Sequence, residues 1–459
     1  MDIQKKRVFR EKKAKNISRR DFIKAAATGM VATGLGANII IPRRVYADRK
    51  KLKILKWSHI VPSFDKWFKE TFVKEWGEKN DTEVTVDYFF APVELLQKAS
   101  AEVSAQKGHD LVMSLWPPAA FEHHVIDHSE IYQECEKKCG KANALAVKST
   151  YNPKTKKYFG FSESYVPDPI NYRKDLWDGV GIYPNTWEDV LRGGSKIKKK
   201  YGNPVLIGIS SELDSNMAMR AIMYSNGASV QDEVGNVVIN SKQTLKAVNF
   251  VRSLFKETMT PEVLTWADPG SNNELMLDGT GSLAMNAISI TRTAENRKMT
   301  EMSKKIWLAK APAGPVRRTG LEHICSVYLI WKFADNIKGA KQFLVDYIGS
   351  SREAFVGSEL YNFPSFPDTV PDLDKLIAND SKADPTDKYK VLEDAETWTT
   401  NVGDPGYTNA AIDEIFGRNI IPTMFRKVAT DEAAAYEAIR EAEAKCRKIF
   451  AKWREKGLV

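Results

Sequence analysis

Leu52-Lys53-Ile54-Leu55-Lys56-Trp57, followed by Pro62 to Trp76, Glu83 to Phe89, Pro92 to Lys107 and Asp110-Leu111-Val112-Met113-Ser114-Leu115, is the stretch on which the fold turns. The first six residues alternate in polarity and read as a short strand. Pro62-Ser63 opens a helix with Ser63 as its N-cap. Phe64, Trp67, Phe68, Phe72 and Trp76 then fall at helical spacing on one face. Glu83 to Phe89 is β-rich. Pro92 to Lys107 is helical again, with proline in its first turn and Gly108 at its end. Asp110 to Leu115 is a third strand. A βαβαβ run implies a parallel sheet with right-handed crossovers, and such sheets bind ligands beyond the carboxyl ends of their strands. Ser58-His59, Phe90-Ala91 and Trp116-Pro117-Pro118 leave those ends.

Downstream, Tyr158 to Phe161 and an irregular Ser162–Pro169 stretch read as a crossover between lobes. A second α/β region runs from about 171 to 305, with a buried-type strand over Pro204 to Ser210 and helices around Ser215–Ser225 and Gln243–Thr258. Ala311-Pro312-Ala313-Gly314-Pro315 is a breaker cluster and a second crossover. Ile324 to Trp331 reads as a strand, Ile337 to Tyr347 as a helix, residues 361–410 as a long ordered loop region, and Glu432 to Lys456 as a charged closing helix. At 459 residues the chain is too long for one core.

The charge is distributed unevenly. Of 68 Lys and Arg and 59 Asp and Glu, residues 1–47 hold twelve and three, leaving 56 of each sign in residues 48–459. The basic excess therefore marks one detachable segment and does not point to nucleic acid or an anionic membrane as a partner. That segment has a basic start, an apolar run from Ala25 to Ile41, and Val45-Tyr46-Ala47 as a small-x-small cleavage site. Ser18-Arg19-Arg20-Asp21-Phe22-Ile23-Lys24 resembles the twin-arginine (Tat) export signal, with Arg19 and Arg20 as the pair. The expectation is a Tat signal peptide over 1–47 and a mature chain in the periplasm or at the extracellular face of the cytoplasmic membrane. An uncleaved N-terminal anchor is the alternative.

Asn171-Tyr172-Arg173-Lys174-Asp175-Leu176-Trp177 is followed by Gly181, Pro184 and Thr186-Trp187-Glu188-Asp189-Val190. Physically this is a strand, a helix, a Gly-Pro turn and a second helix capped by Thr186, with Asp189 in the capping-box position. The pattern resembles that of the extracellular solute-binding proteins of family 1, the maltose-binding-protein-like sugar-binding group of the ABC transporters. Gly279-Thr280-Gly281-Ser282-Leu283-Ala284-Met285-Asn286 and Gly108-His109-Asp110-Leu111-Val112 resemble two further strands of that family. The three matches fall in order, and the likeness covers roughly residues 50–350. It implies an α/β, two-lobe, periplasmic-binding-protein-like fold of type II, with a ligand cleft between lobes joined by a multi-segment hinge. The expected division is 48–165 with about 308–370 for lobe 1, and 166–307 with about 371–459 for lobe 2. The resemblance implies a monomeric substrate-binding component of an ABC importer. It would capture a small polar solute, a sugar or polyol, and deliver it to the permease subunits, having met the Tat translocon during export.

A sugar site needs aromatic faces for the C–H side of a pyranose, and carboxylates and amides for its hydroxyls. Residues of those kinds at strand ends and crossovers are Ser58, His59, Trp116, Glu212, Trp266, Asn272, Asn273, Asn286, Arg292 and Tyr361. A structural role stays open for Trp116 as core packing, for Arg292 as a local ion pair, for Ser58 and His59, and for Glu212, which with Asp214 also fits a solvated helix start. His123, His124 and His128 include spacings that would suit either a metal pair or a solvated helical face, and the second is preferred. Cys135 and Cys139 share a helix face as semi-buried thiols, with a bridge or a metal pair as the alternative. No metal or cofactor is expected. The sequence holds no G-x-S-x-G, no P-loop and no Rossmann fingerprint. A Tat-exported metalloenzyme or carbohydrate-active hydrolase is the competing reading, and the expectation is a protein without catalysis.

Overall fold

The computed structural model describes residues 49–268 and 270–459; the expected export signal, with Arg19 and Arg20, lies outside the described residues. Twelve strands are named in chain order: β1 Lys50–Trp57, β2 Thr82–Phe89, β3 Leu111–Ser114, β4 Tyr151–Asn152, β5 Lys157–Tyr158, β6 Phe161–Pro167, β7 Ile170–Arg173, β8 Leu283–Met285, β9 Ile306–Ala309, β10 Gly320–Ile330, β11 Phe363–Pro364 and β12 Thr399–Thr400.

β1 supplies the apolar alternation that seeds the larger sheet: Leu52, Ile54 and Leu55 are fully buried. It pairs in parallel with β2 on one side and β3 on the other, as the βαβαβ reading requires. The sheet continues through β10, antiparallel to β3 and β6, in the order β11-β6-β10-β3-β1-β2, with β12 beside β10. The smaller sheet is antiparallel, in the order β8-β7-β9. The chain passes between the sheets at Asp168-Pro169, from β6 to β7, and again between β9 and β10. Gly314 lies in that second passage. A Cβ there would meet the Ser225 carbonyl oxygen at 2.4 Å, so the tight approach needs glycine.

The helices differ from expectation in instructive ways. Pro62–Trp67 starts with Pro62 at its first turn, and Val61 occupies the cap position. The Ser63 hydroxyl instead donates to Gly357 O and Glu359. A π-helical segment, Phe68–Val73, continues the run. Phe64, Phe68, Phe72 and Trp76 are spaced four apart, which drifts by about 40° per step around a 3.6-residue helix. The wider π turns bring the rings back onto one face, where Phe72 and Trp76 meet Phe343 of the Ile337–Ile348 helix at 5.3 and 5.1 Å. The Pro92–Ala105 helix ends on Gln106 in the left-handed region, before Gly108. Thr186 and Asp189 make the expected reciprocal capping box on Trp187–Tyr201.

Three readings need correcting. Ser162 to Pro167 is no irregular crossover; it is part of β6, buried along its whole length because β10 and β11 flank it. Ser162 finds a partner inside, its hydroxyl meeting that of Ser365 at 2.9 Å. Pro204 to Ser210 is buried and extended but forms only a bridge, at Val205. Its amides bond singly to separate segments, at Thr258, Leu283 and Val263. His128 is not on a solvated face. It is fully buried, and its Nε2 accepts from the Ile330 amide at 3.1 Å, which leaves Nδ1–H to donate to Tyr158 O. Cys135 is buried, Cys139 half-buried, and both are free thiols. Residues 361–410 hold short helical turns and two short strands. Among the described residues no helix is long and apolar enough to cross a membrane.

Candidate functional site

The carboxyl ends of β1, β2 and β3 open onto one cavity of 370 Å³. Each end delivers an aromatic ring: Trp57 from β1, Phe90 just past β2, and Trp116 two residues past β3. The opposite side comes from later segments. The start of the Leu213–Ser225 helix brings Glu212 and Asp214, the Ser271–Leu277 helix brings Asn273, and the end of β8 brings Asn286. β10 contributes His323 from the larger sheet, and Tyr361 and Phe416 complete the walls. A cavity of this size, apolar on its walls with a few convergent polar groups, has the form of a small-molecule site.

Two of these rings are held in place. Trp57 Nε1 donates to Phe90 O at 3.0 Å, tying the first two strand ends together. Trp116 Nε1 donates to Asp413 Oδ1 at 3.0 Å, and its ring lies 5.3 Å from that of Phe416. Asp413 Oδ2 also accepts from the Ala120 amide at 2.8 Å. Burial pushes the Asp413 carboxyl up to about 6, against the pull of these two donors.

The polar floor is a network. Glu212 caps its helix, accepting from the amides of Asp214 and Ser215, both at 2.6 Å. Asp214 Oδ2 accepts from Asn272 and Asn286, each at 2.9 Å. Asn286 Nδ2 also faces Asn272 Oδ1 at 2.9 Å and Asn273 Oδ1 at 2.8 Å, so two hydrogens are shared among three acceptors. His323 stands between Asp168 at 3.3 Å and Asp214 at 3.4 Å. Burial opposes its charge, yet the two carboxylates outweigh that and hold its pKa up at about 9. Burial likewise drives Asp214 well above the usual carboxylate range, against the attraction of His323.

Of the ten residues singled out in the sequence, five line the cavity: Trp116, Glu212, Asn273, Asn286 and Tyr361. Asn272 lies directly behind, in the network holding Asp214 and Asn286. His59 is buried behind Tyr361, with ring centroids 5.1 Å apart. Its Nδ1 accepts from the Val61 amide, so Nε2–H donates to Asn362, and burial lowers its pKa to about 3. Ser58 is half-buried off the lining, with its amide donating to Phe89 O. Trp266 packs half-buried against the small apolar cluster that includes Leu206 and Met276, while the next two residues, Ala267 and Asp268, line the cavity. Arg292 is buried outside it, 2.5 Å from Asp380, 3.0 Å from Glu295 and 4.5 Å above the Tyr389 ring. Trp57, Phe90, Asp214, His323 and Phe416 were not among the ten. A strand-end position signals the first two. A charged pair, Glu322-His323, inside an otherwise apolar strand is the only signal for His323. Among the described residues no group of three or more His, Cys, Asp or Glu is placed to hold a metal ion.

Solved structures share this fold. An ABC transporter solute-binding protein from Thermotoga lettingae, bound with α-D-tagatose, superposes with a TM-score of 0.71 at 16% identity, over 87% of this chain and 100% of that one. Maltose-bound T. maritima MalE3 gives 0.70 at 19% identity, over 87% and 99%. A solute-binding protein from Agrobacterium radiobacter in complex with ribitol gives 0.65 at 19% identity, over 87% and 98%. At these identities the likeness establishes the fold, a two-lobe α/β architecture of type II. No curated protein matches the sequence itself. Residues 61–354, well over half of the chain, match the family described as bacterial extracellular solute-binding protein, and the chain belongs to that family.

Proposed function

We propose that this chain is the substrate-binding component of an ABC importer, capturing a sugar or polyol outside the cytoplasmic membrane and delivering it to the permease subunits. The observation that carries the reading is the cavity at the β1–β3 strand ends, with ring faces on its walls and carboxylate, amide and imidazole groups on its floor. That pairing suits a solute with C–H faces and many hydroxyls. The tagatose, maltose and ribitol held by proteins of the same fold are consistent with it.

Within the site, Trp116 and Tyr361 present rings to the solute, and Glu212, Asn273 and Asn286 face its hydroxyls. Ser58, His59, Trp266, Asn272 and Arg292 shape or brace the surroundings. Lobe 1 comprises 48–165 with about 308–370, and lobe 2 comprises 166–307 with about 371–459. The pairing of β6 with β10, and of β7 with β9, supports chain crossings near 168 and over about 310–319. The protein acts as a monomer, exported through the twin-arginine route.

A thermal-shift screen against sugars, polyols, amino acids and metal ions tests this. A ligand that binds only the native state raises the melting temperature by mass action, by an increment that grows with its concentration above Kd. At least one sugar or polyol is expected to do so. A shift confined to amino acids or metal ions would overturn the reading.

A further inference from the structure

The floor of the cavity gathers more acidic than basic side chains. Glu212, Asp214 and His323 line it, Asp168 stands directly behind His323, and Asp268 adds a carboxylate at the lining. Among the described residues no Lys or Arg lines the cavity. His323 supplies one positive charge against three buried carboxyl groups: Asp168, Asp214 and Glu212.

These acids are not equally occupied. Glu212 spends its oxygens on the helix N-terminus, accepting from two amides and from the Ser215 hydroxyl. Asp214 Oδ2 is held by two asparagine amides. Asp214 Oδ1, on a side chain only 3% exposed, receives no hydrogen bond, although His323 stands within ion-pair distance. A buried carboxylate oxygen without a donor is costly, and this one belongs to a residue that lines the cavity. A solute hydroxyl would satisfy the oxygen but leave the charge. A cation would satisfy both. Burial also drives the Glu212 and Asp214 carboxyls upward, the cost that a nearby cation would offset. The walls agree with this: Trp57, Phe90, Trp116, Tyr361 and Phe416 surround the floor with rings whose faces attract cations.

We propose that the cleft selects a solute bearing a protonated amine, an amino sugar or amino polyol, with its ammonium against Asp214 and its carbon skeleton among the aromatic rings. This rests on the sugar-or-polyol reading above and adds a charge to it.

Calorimetric titration of the protein at about pH 6, where alkyl amines are cationic, tests it with D-glucosamine, N-acetyl-D-glucosamine, D-glucose, D-glucuronate and putrescine. Glucosamine is expected to bind at least about tenfold more tightly than glucose. N-acetylation, which removes the charge, should return affinity to the level of glucose, and glucuronate should bind most weakly. Asp214→Asn should erase most of the preference for glucosamine. If that variant misfolds, the comparison of glucosamine with its N-acetyl form on the unaltered protein still decides. Glucose or N-acetylglucosamine binding as tightly as glucosamine would overturn the charge inference and leave the sugar reading standing. Putrescine binding with every hexose silent would keep the charge inference and remove the sugar reading. Silence from both amines would overturn the inference.

Discussion

Trp116→Ala perturbs packing and recognition together, and the structure sets how much of each. The indole is 7% exposed and lies against Phe416, with one side bordering the 370 Å³ cavity. Truncating a buried Trp costs about 3–5 kcal/mol. Because the cavity side has no protein atoms to lose, the lower end applies. The substitution also strips Asp413 Oδ1 of its donor, a loss of about 1–3 kcal/mol for an unsatisfied buried acceptor. That term is softened, because Asp413 is already pushed to about 6 and takes up a proton easily. The expected loss of unfolding free energy is about 3–4 kcal/mol, read by urea denaturation of the ligand-free protein. Titration of the folded variant with a sugar or polyol from the thermal screen should show affinity lower by about tenfold or more. Trp116→Phe should recover most of the affinity, since a ring face remains. Stability lost with affinity untouched would remove Trp116 from the site. Stability untouched would refute the packing described for it.

Arg292→Met should lower stability by about 3–5 kcal/mol, because Asp380 loses its buried cationic partner and Glu295 keeps only Lys388. Affinity of the folded protein should stay within about twofold; a large affinity loss at unchanged stability would return Arg292 to the ligand site. His323 has a folded pKa of about 9, above its unfolded value of about 6.5. Its contribution to stability is therefore complete below about pH 6.5 and is lost as pH rises through about 9. His323→Gln should flatten that part of the urea-midpoint profile, and an unchanged profile would contradict the assignment. Replacing both Arg19 and Arg20 with Lys should block export, and the mature chain should begin near Asp48; normal export of the double variant would dismiss the twin-arginine assignment.

The βαβαβ core was legible because its strands and helices carry opposite periodicities and its turns are marked by proline and glycine. β6 was not. Phe161-Ser162-Glu163-Ser164-Tyr165-Val166-Pro167 is too polar to read as a buried strand, and only the partners supplied by β10 and β11 make it one. Residues 361–410 give little local signal, because their elements are short turns and two-residue strands. The rule that ligands gather at strand ends found the right loops but missed by one residue at β1. Side chains alternate along a strand, so Trp57 enters the cavity while Ser58 stays off its lining. Trp266 misses in the same way beside Ala267 and Asp268. His323 and Phe416 reach the cavity from positions more than 200 residues beyond Trp116 in the chain. No local pattern announces such an encounter; it comes from the way the two sheets are joined.

The central claim is that a solute is captured by closure of two lobes around this cavity. Small-angle X-ray scattering of the protein, with and without a saturating sugar or polyol identified by the thermal screen, tests it most directly. Hinge closure around one bound molecule predicts a smaller radius of gyration at one-to-one saturation. An unchanged radius with the same ligand fully bound would contradict the claim.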